Sequence, residues 1–213
     1  KDYYEVRRTG KKIVSQADWE DAVEMAKIFR ESPYLSSLFG KVSDGKKEFL
    51  YQTQYLTDWT LPNGIEVKLM IMPDLLVVDH EAKTIRPVDL KTSSFPAYDF
   101  VDNFIRFRYD IQASLYTDVI GKIMSEDEYY QDFTLLPYFF TDISRTDKVP
   151  VTYEYDPKDE SQVNGLTFGQ YQYKNWQTLL MEILEYEKNN SRVPSYIIEE
   201  GPNDLLALLN NKK

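Results

Sequence analysis

Cysteine is absent from this chain of 213 residues, and histidine occurs once, as His80. Without cysteine there is no disulfide framework and no iron–sulfur cluster, since those clusters need thiolate ligands. A single histidine leaves little to build a zinc site or a histidine-based catalytic triad. No apolar run is long enough to span a bilayer and no signal-like segment opens the sequence, so the expectation is a soluble, cytoplasmic protein without a membrane partner. Basic residues are also in short supply, 25 against 35 acidic, for a net charge of −10. That excludes a non-specific nucleic-acid coat, which requires a basic surface. The deficit is local. Residues 1–50 carry 10 basic and 9 acidic side chains, residues 51–122 carry 7 and 10, and residues 123–213 carry 8 and 16.

Aromatic side chains are plentiful, with 17 Tyr, 11 Phe and 3 Trp, which marks a globular chain rather than a disordered one. The length suits one domain over residues 1–213. Residues 1–14 read as a polar arm around Tyr3 and Tyr4. Ser15 is placed to cap a helix over Ala17–Glu31, with Trp19, Ala22, Val23, Ala26 and Phe29 as its buried stripe and Glu20, Glu24 and Glu31 off it. Pro33 ends that helix, and Leu35–Phe39 reads as a short helical turn closed by Gly40. Glu48–Trp59 reads as a strand, Leu61-Pro62-Asn63-Gly64 as a hairpin turn, and Ile65–Met72 as a returning strand apolar enough to be covered on both faces. With the strand that follows, residues 48–91 predict a three-stranded antiparallel meander. A helix over Phe104–Met124 presents Phe104, Phe107, Ile111, Leu115 and Val119 to the core, with Tyr109, Gln112 and Tyr116 on a neighbouring stripe. Two further strands cover Phe133–Ile143 and Val149–Tyr155, with Pro137 at an edge or bulge. A long amphipathic helix covers Phe168–Asn189, and Leu205–Leu209 is an apolar segment suited to docking on the body or on a partner subunit. The expected fold is α/β (or α+β), a mixed central sheet flanked by helices, with its core over about 17–155 and a C-terminal helix and tail over 166–213.

The stretch Met72–Lys91 concentrates the chemistry. Leu75–Val78 and Ile85–Leu90 are short apolar runs around the polar His80-Glu81-Ala82-Lys83, a β-hairpin pattern. If Asp79 pairs with Thr84, the constant sum of an antiparallel register brings Asp74 opposite Asp89, and Lys91 shares the face of Asp89. Two opposed carboxylates repel unless a cation sits between them. The pattern alone leaves two readings open, a metal site and a surface hairpin with a solvated, charged open end.

Pro73-Asp74 followed by Asp89-Leu90-Lys91 resembles the signature of the PD-(D/E)XK nuclease superfamily. Arg108-Tyr109-Asp110-Ile111-Gln112-Ala113-Ser114-Leu115-Tyr116 is similar to the Q-x-x-x-Y helix of its RecB-like branch, and Gly45-Lys46-Lys47-Glu48 to an element of RecE-type phage and prophage exonucleases. The likeness covers roughly Trp19 to Tyr138. It implies a restriction-endonuclease-like αβββαβ core and a magnesium-dependent deoxyribonuclease, an exonuclease of phage recombination or repair type. Its implied context is a cytoplasmic, bacterial or phage-encoded enzyme acting on DNA, with a single-strand annealing recombinase as a partner and a ring-shaped homo-oligomer as its assembly.

The same resemblance assigns roles. Asp74, Asp89 and the backbone carbonyl of Leu90 would hold Mg²⁺ or Mn²⁺, Glu48 would complete the set, and Lys91 would orient or activate the attacking water or steady the phosphate. Glu24 and Glu31 are the alternatives to Glu48. Gln112 and Tyr116 would orient the site or face DNA, Thr92 and Ser93 would offer hydroxyls to a phosphate, and Arg106 and Arg108 would contact the backbone of the nucleic acid. Three other readings stay open: a nuclease-like scaffold that binds DNA or protein without cutting, a site-specific endonuclease, and an acidic α/β domain in which D…DxK is coincidental.

Overall fold

The structure, a computed structural model, describes residues 14–39, 45–159, 162 and 164–188. The expected N-terminal arm, the closing Gly40 and the apolar Leu205–Leu209 segment lie outside the described residues. Packing divides the chain into two compact units, where the sequence predicts one domain. The first takes in the described parts of Lys1–Tyr55 and Met70–Pro157, and the second those of Leu56–Leu69 and Lys158–Lys213. No helix among the described residues is long and apolar enough to cross a membrane.

The first unit is built on a mixed sheet. Its strands β1 (Lys47–Tyr51), β4 (Leu75–Asp79), β5 (Thr84–Ser93), β7 (Tyr138–Ser144) and β8 (Pro150–Tyr155) lie side by side in that order, with the two-residue β6 (Thr134–Leu135) also pairing β5. The β1/β4, β4/β5 and β7/β8 pairs are antiparallel, whereas β5 and β7 run parallel from Val88↔Phe139 to Ser93↔Ser144. Parallel neighbours need a long crossover, and the helices between them supply it. Leu136 and Pro137 separate β6 from β7, because proline has no N–H to continue the ladder. Leu75, Val78, Val88, Tyr138, Phe140 and Ile143 are almost fully buried, as a sheet covered on both faces requires. Each such side chain contributes about 1.5–3 kcal/mol of transfer free energy.

The expected meander is corrected in one respect. Residues 48–59 are not one strand. The chain leaves the sheet after β1, forms β2 (Tyr55–Thr60) and β3 (Glu66–Ile71), which pair only with each other, and returns as β4. The three adjacent antiparallel strands are therefore β1, β4 and β5. Burial along β3 alternates, with Leu69 and Ile71 inside and Met70 63% exposed, so it is not a strand covered on both faces.

Helix α1 (Gln16–Glu31) starts where expected, with the Ser15 hydroxyl accepting from the Asp18 N–H at 3.1 Å. Ser32 then caps α2 (Pro33–Leu38), with Pro33 in its first turn. The predicted buried stripe of α1 is not buried. Trp19 and Val23 are 60% and 48% exposed, and Met25 is the buried position. What ties α1 to the strand β7 end of the sheet is charge: Arg145 reaches Asp18 and Asp21, and Lys148 pairs with Asp21 and Glu24.

The expected Phe104–Met124 helix is two helices, α3 (Phe100–Arg106) and α4 (Tyr109–Glu126), preceded by a 3₁₀ turn at Ala97–Asp99. They break at Arg108, whose φ of 53° is left-handed. The break turns Phe107 out to 54% exposure and rotates α4 so that Ala113, Thr117, Val119, Ile120 and Met124 face the core, not Ile111 and Leu115. The left-handed residue costs about 1–2 kcal/mol, which the Arg108 guanidinium offsets with two 2.9 Å bonds to the buried Asp110 carboxylate. Phe100, Phe104, Tyr109, Phe140, Tyr153 and Tyr155 close an aromatic cluster over β7 and β8, with Phe100 stacked on Tyr153 at 4.3 Å.

In the second unit the β2–β3 hairpin turns at Gly64, whose φ of +81° suits glycine. The Trp59 ring meets that of Trp176 edge-on at 5.4 Å. Helix α5 spans Trp176–Lys188, starting later than predicted because Thr167–Phe168 (β9) and Tyr171–Gln172 (β10) form a small hairpin first. Asn175 caps α5, its side chain accepting from the Thr178 N–H at 2.9 Å.

Candidate active site

The β4–β5 hairpin has the expected register, Asp79↔Thr84 to Leu75↔Val88. Continuing it by one pair brings Asp74 and Asp89 face to face at the open end. There the Asp74 carboxylate accepts the Leu90 N–H at 2.9 Å. In an extended strand the N–H and C=O of one residue point to the same edge. The Leu90 carbonyl therefore faces the Asp74 side, free of β7.

Asp89 is 2% exposed and is met by two side chains. Lys91 Nζ lies 2.8 Å from Asp89 Oδ2. Gln112, from α4, donates through Nε2 to Asp89 Oδ1 and accepts from Lys91 Nζ through Oε1 at 2.9 Å. Gln112 thus fixes the acid and the lysine to each other, a job that no apolar residue at that position would do. Lys91 Nζ also stands 4.4 Å from the centre of the Tyr109 ring, a cation–π contact. Burial pushes the Asp89 carboxyl up, Lys91 and Gln112 pull it back, and the charge of Asp74 raises it further. Burial likewise pushes up Tyr116, which the Met72 backbone bonds and which feels the charges of Asp89 and Asp74. Tyr138 is raised more strongly, by its own burial and then by Asp89. Asp74, Asp89, Lys91, Gln112 and Tyr116 are therefore one cluster.

Other candidates stand apart from it. Glu48 shares the face of the acidic pair but is opposite Val78, four residues along β4 from Asp74, or about 13 Å at strand spacing. Its carboxylate lies 3.6 Å from His80 at the closed end of the hairpin. Glu24 pairs with Lys148 and Glu31 with Lys27, so neither alternative joins the site. Among the described residues no group of three or more His, Asp or Glu is placed to hold a metal ion. The oxygen donors at hand are the Asp74 and Asp89 carboxylates and the Leu90 carbonyl. Arg108 is committed to Asp110, and exposed Arg106 rests its guanidinium 5.4 Å from the Phe107 ring. Ser93 donates to the Phe95 carbonyl at 2.9 Å and lies 3.3 Å from Asp142 Oδ2, while Thr92 is exposed.

Sequence reasoning missed Asp142. It pairs with Lys91 across the parallel β5–β7 register, is 1% exposed, and has one carboxylate oxygen, Oδ1, with no hydrogen-bond partner among the described residues. Burial raises its carboxyl above the usual 3.8. Alternation in F-F-T-D-I hints that Asp142 and Phe140 share a face, but only the strand pairing reveals that this face is the one Lys91 occupies. No family model matches the chain, and no curated protein matches it.

Proposed function

We propose that this chain is a metal-dependent DNA phosphodiesterase of the PD-(D/E)XK superfamily, an exonuclease of the RecB/RecE-like branch. The observation that carries the reading is the closed arrangement of Asp74, Asp89, Lys91 and Gln112. Asp89, Lys91 and Gln112, drawn from a strand and a helix, bond one another, and Asp74 stands opposite Asp89 with its carboxylate on the Leu90 N–H. Support at the level of the fold comes from the element order. Helix, three adjacent antiparallel strands, helix and a parallel strand follow one another as in an αβββαβ core, with the β2–β3 hairpin as an excursion between the first two strands.

The donor set fits a hard divalent cation. Two carboxylates and a carbonyl offer only oxygen, and Mg²⁺ binds through one or two carboxylates while keeping waters for the substrate. A buried carboxylate facing a half-buried one, each repelling the other, is the kind of site a cation relieves. When bound, the ion supplies Lewis-acid polarisation of the phosphate and an acidified water. The chain's own residues do the rest. Lys91 has three N–H donors, of which Asp89 and Gln112 take two. The third is left to hold the attacking water or to bond a phosphate oxygen as negative charge develops there. Gln112, the Tyr109 ring and Asp89 hold that side chain in place.

The test is digestion of end-labelled linear duplex and closed circular DNA in Mg²⁺, in Mn²⁺ and in EDTA. Metal-dependent shortening of the linear form alone is expected, and nicked circles would make the enzyme an endonuclease. Lys91→Ala should retain metal binding and lose cleavage, whereas Asp89→Ala should lose both. Unchanged cleavage in either variant would remove the assignment. One observation favours a second reading, a DNA-binding scaffold: Glu48 lies too far along β1 to serve as a third carboxylate. That reading predicts DNA binding without cleavage in every metal.

A further inference from the structure

Beyond Lys91 the surface opens into a cavity of about 240 Å³ between β5, β7 and α3, walled by Lys91, Asn103, Phe107, Tyr109, Phe95 and Asp142. Its chemistry is uneven in an informative way. Phe95 and Phe107 stand 48% and 54% exposed beside it. Phe107 stacks on Tyr109 at 5.8 Å with the rings 25° apart, and Tyr109 in turn carries the Lys91 ammonium. Its buried polar groups are Asp142 and Asn103, 1% and 9% exposed, and Lys91, Thr92, Ser93 and Ser94 complete the polar lining. Asp142 Oδ2 lies 3.3 Å from the Ser93 hydroxyl, and Oδ1 has no hydrogen-bond partner among the described residues. A buried acceptor left unbonded costs free energy until a donor reaches it.

We propose that this cavity takes the base of the nucleotide next to the scissile phosphate, so that the substrate is a strand end whose terminal base is unpaired. The inference rests on the nuclease reading and deepens it. A phosphate suits the Lys91 end of the cavity, not the part where Asp142 would meet it with a carboxylate beside Phe95 and Phe107. A metal ion does not suit that part either, because Asp142 is the one acid there. Pockets for drug-sized ligands run to about 300–1,000 Å³, and this one is smaller, of a size for one flat ring system. A nucleobase has what the walls ask for: two π-faces for the half-exposed phenyl rings and an N–H edge for Asp142. Base–aromatic stacking is tolerant of sequence, so any base with an N–H edge qualifies. A base inside a duplex cannot enter without leaving its stack. Frayed or single-stranded ends should therefore be preferred over blunt ones.

The test uses the whole protein and short single-stranded oligonucleotides carrying 2-aminopurine at the 5′ or the 3′ end, with twins abasic at the same position. Binding is read in Ca²⁺ and cleavage of the same strands in Mg²⁺. The expected result is quenching of 2-aminopurine fluorescence at one end only, and about tenfold weaker binding of the twin abasic at that end. Phe107→Ala and Phe95→Ala, both at exposed positions that folding does not depend on, should remove the quenching and most of the tenfold difference. Strands that bind and are cut with no response to the terminal base would overturn the pocket and leave the nuclease standing. Strands neither bound nor cut would overturn the nuclease reading, and the pocket with it.

Discussion

Gln112 is the residue on which the cluster turns, because from outside the hairpin it hydrogen-bonds both Asp89 and Lys91. Gln112→Ala leaves one oxygen of a buried carboxylate without its donor, which costs about 1–3 kcal/mol of stability. It also frees the lysine. Orienting partners of this kind are worth about 10–100-fold in activity, so cleavage by Gln112→Ala should fall by that factor, with the KM for DNA much less affected. Two other carboxylates set opposite pH trends. Asp142 is raised by burial, so the folded chain keeps a proton that the unfolded chain releases. Its presence should make stability decline as pH rises from the usual 3.8 through its higher native value, and Asp142→Asn should flatten that decline. Asp147 is held down by the N–H groups of Ala97 and Val149. Its contribution is present above 3.8 and is lost as pH falls through the lowered native value, and Asp147→Asn should remove that loss. Urea midpoints measured across the acid range for the two variants check both signs. The facing of Asp74 and Asp89 was legible in the sequence because a four-residue loop fixes the register of a hairpin. Asp142 was not, because nothing local fixes the register of a parallel pair.

At the scale of elements, the break between α3 and α4 decides which side chains reach the site. A single helix through Phe107 and Arg108 would put Ile111 and Leu115 in the core and turn Gln112 aside. Arg108→Gly should relieve the left-handed strain of about 1–2 kcal/mol but strip Asp110 of its guanidinium, a loss of about 3–5 kcal/mol for a buried pair. The expected net effect is a protein less stable by about 2 kcal/mol in denaturant melts, with part of the loss recovered in the Arg108→Gly/Asp110→Ala double variant. A more stable single variant would show that the break is not held by this pair. Hydrophobic spacing could not reveal the break, since Phe104, Phe107 and Ile111 keep helical period straight through it. The same blindness produced the overly long strand at residues 48–59, where Gln52, at φ 45°, interrupts an aromatic run with no proline or glycine to mark it. In α1 the periodicity was real but the burial was not, because Arg145 and Lys148 anchor that helix by its acidic residues.

For the whole molecule, the proposed nuclease function has to work against a net charge of −10, which would limit how DNA is held. Arg108 is spent on Asp110 and Lys91 on Asp89, which leaves few cations near the site to displace counterions. A slope of log K against log salt no steeper than about −2 to −4 is expected for duplex DNA, corresponding to some two to four phosphates. Binding titrations from low to moderate salt would measure it. A slope beyond about −6 would mean a basic track that the site itself does not contain.

The parallel pairing of β5 with β7 also sets an order in time. The β4–β5 hairpin closes over four residues and can form within microseconds, whereas Val88 must find Phe139 across roughly fifty intervening residues. Asp74 and Asp89 are thus brought together early in folding, before Phe140 and Asp142 arrive beside them. Lys91 gains its neighbours only when α4 docks and that strand is laid down. On a ribosome the acidic pair would emerge as an unfinished half-site, and the chain would become competent only after residue 144 has been made and has found its place.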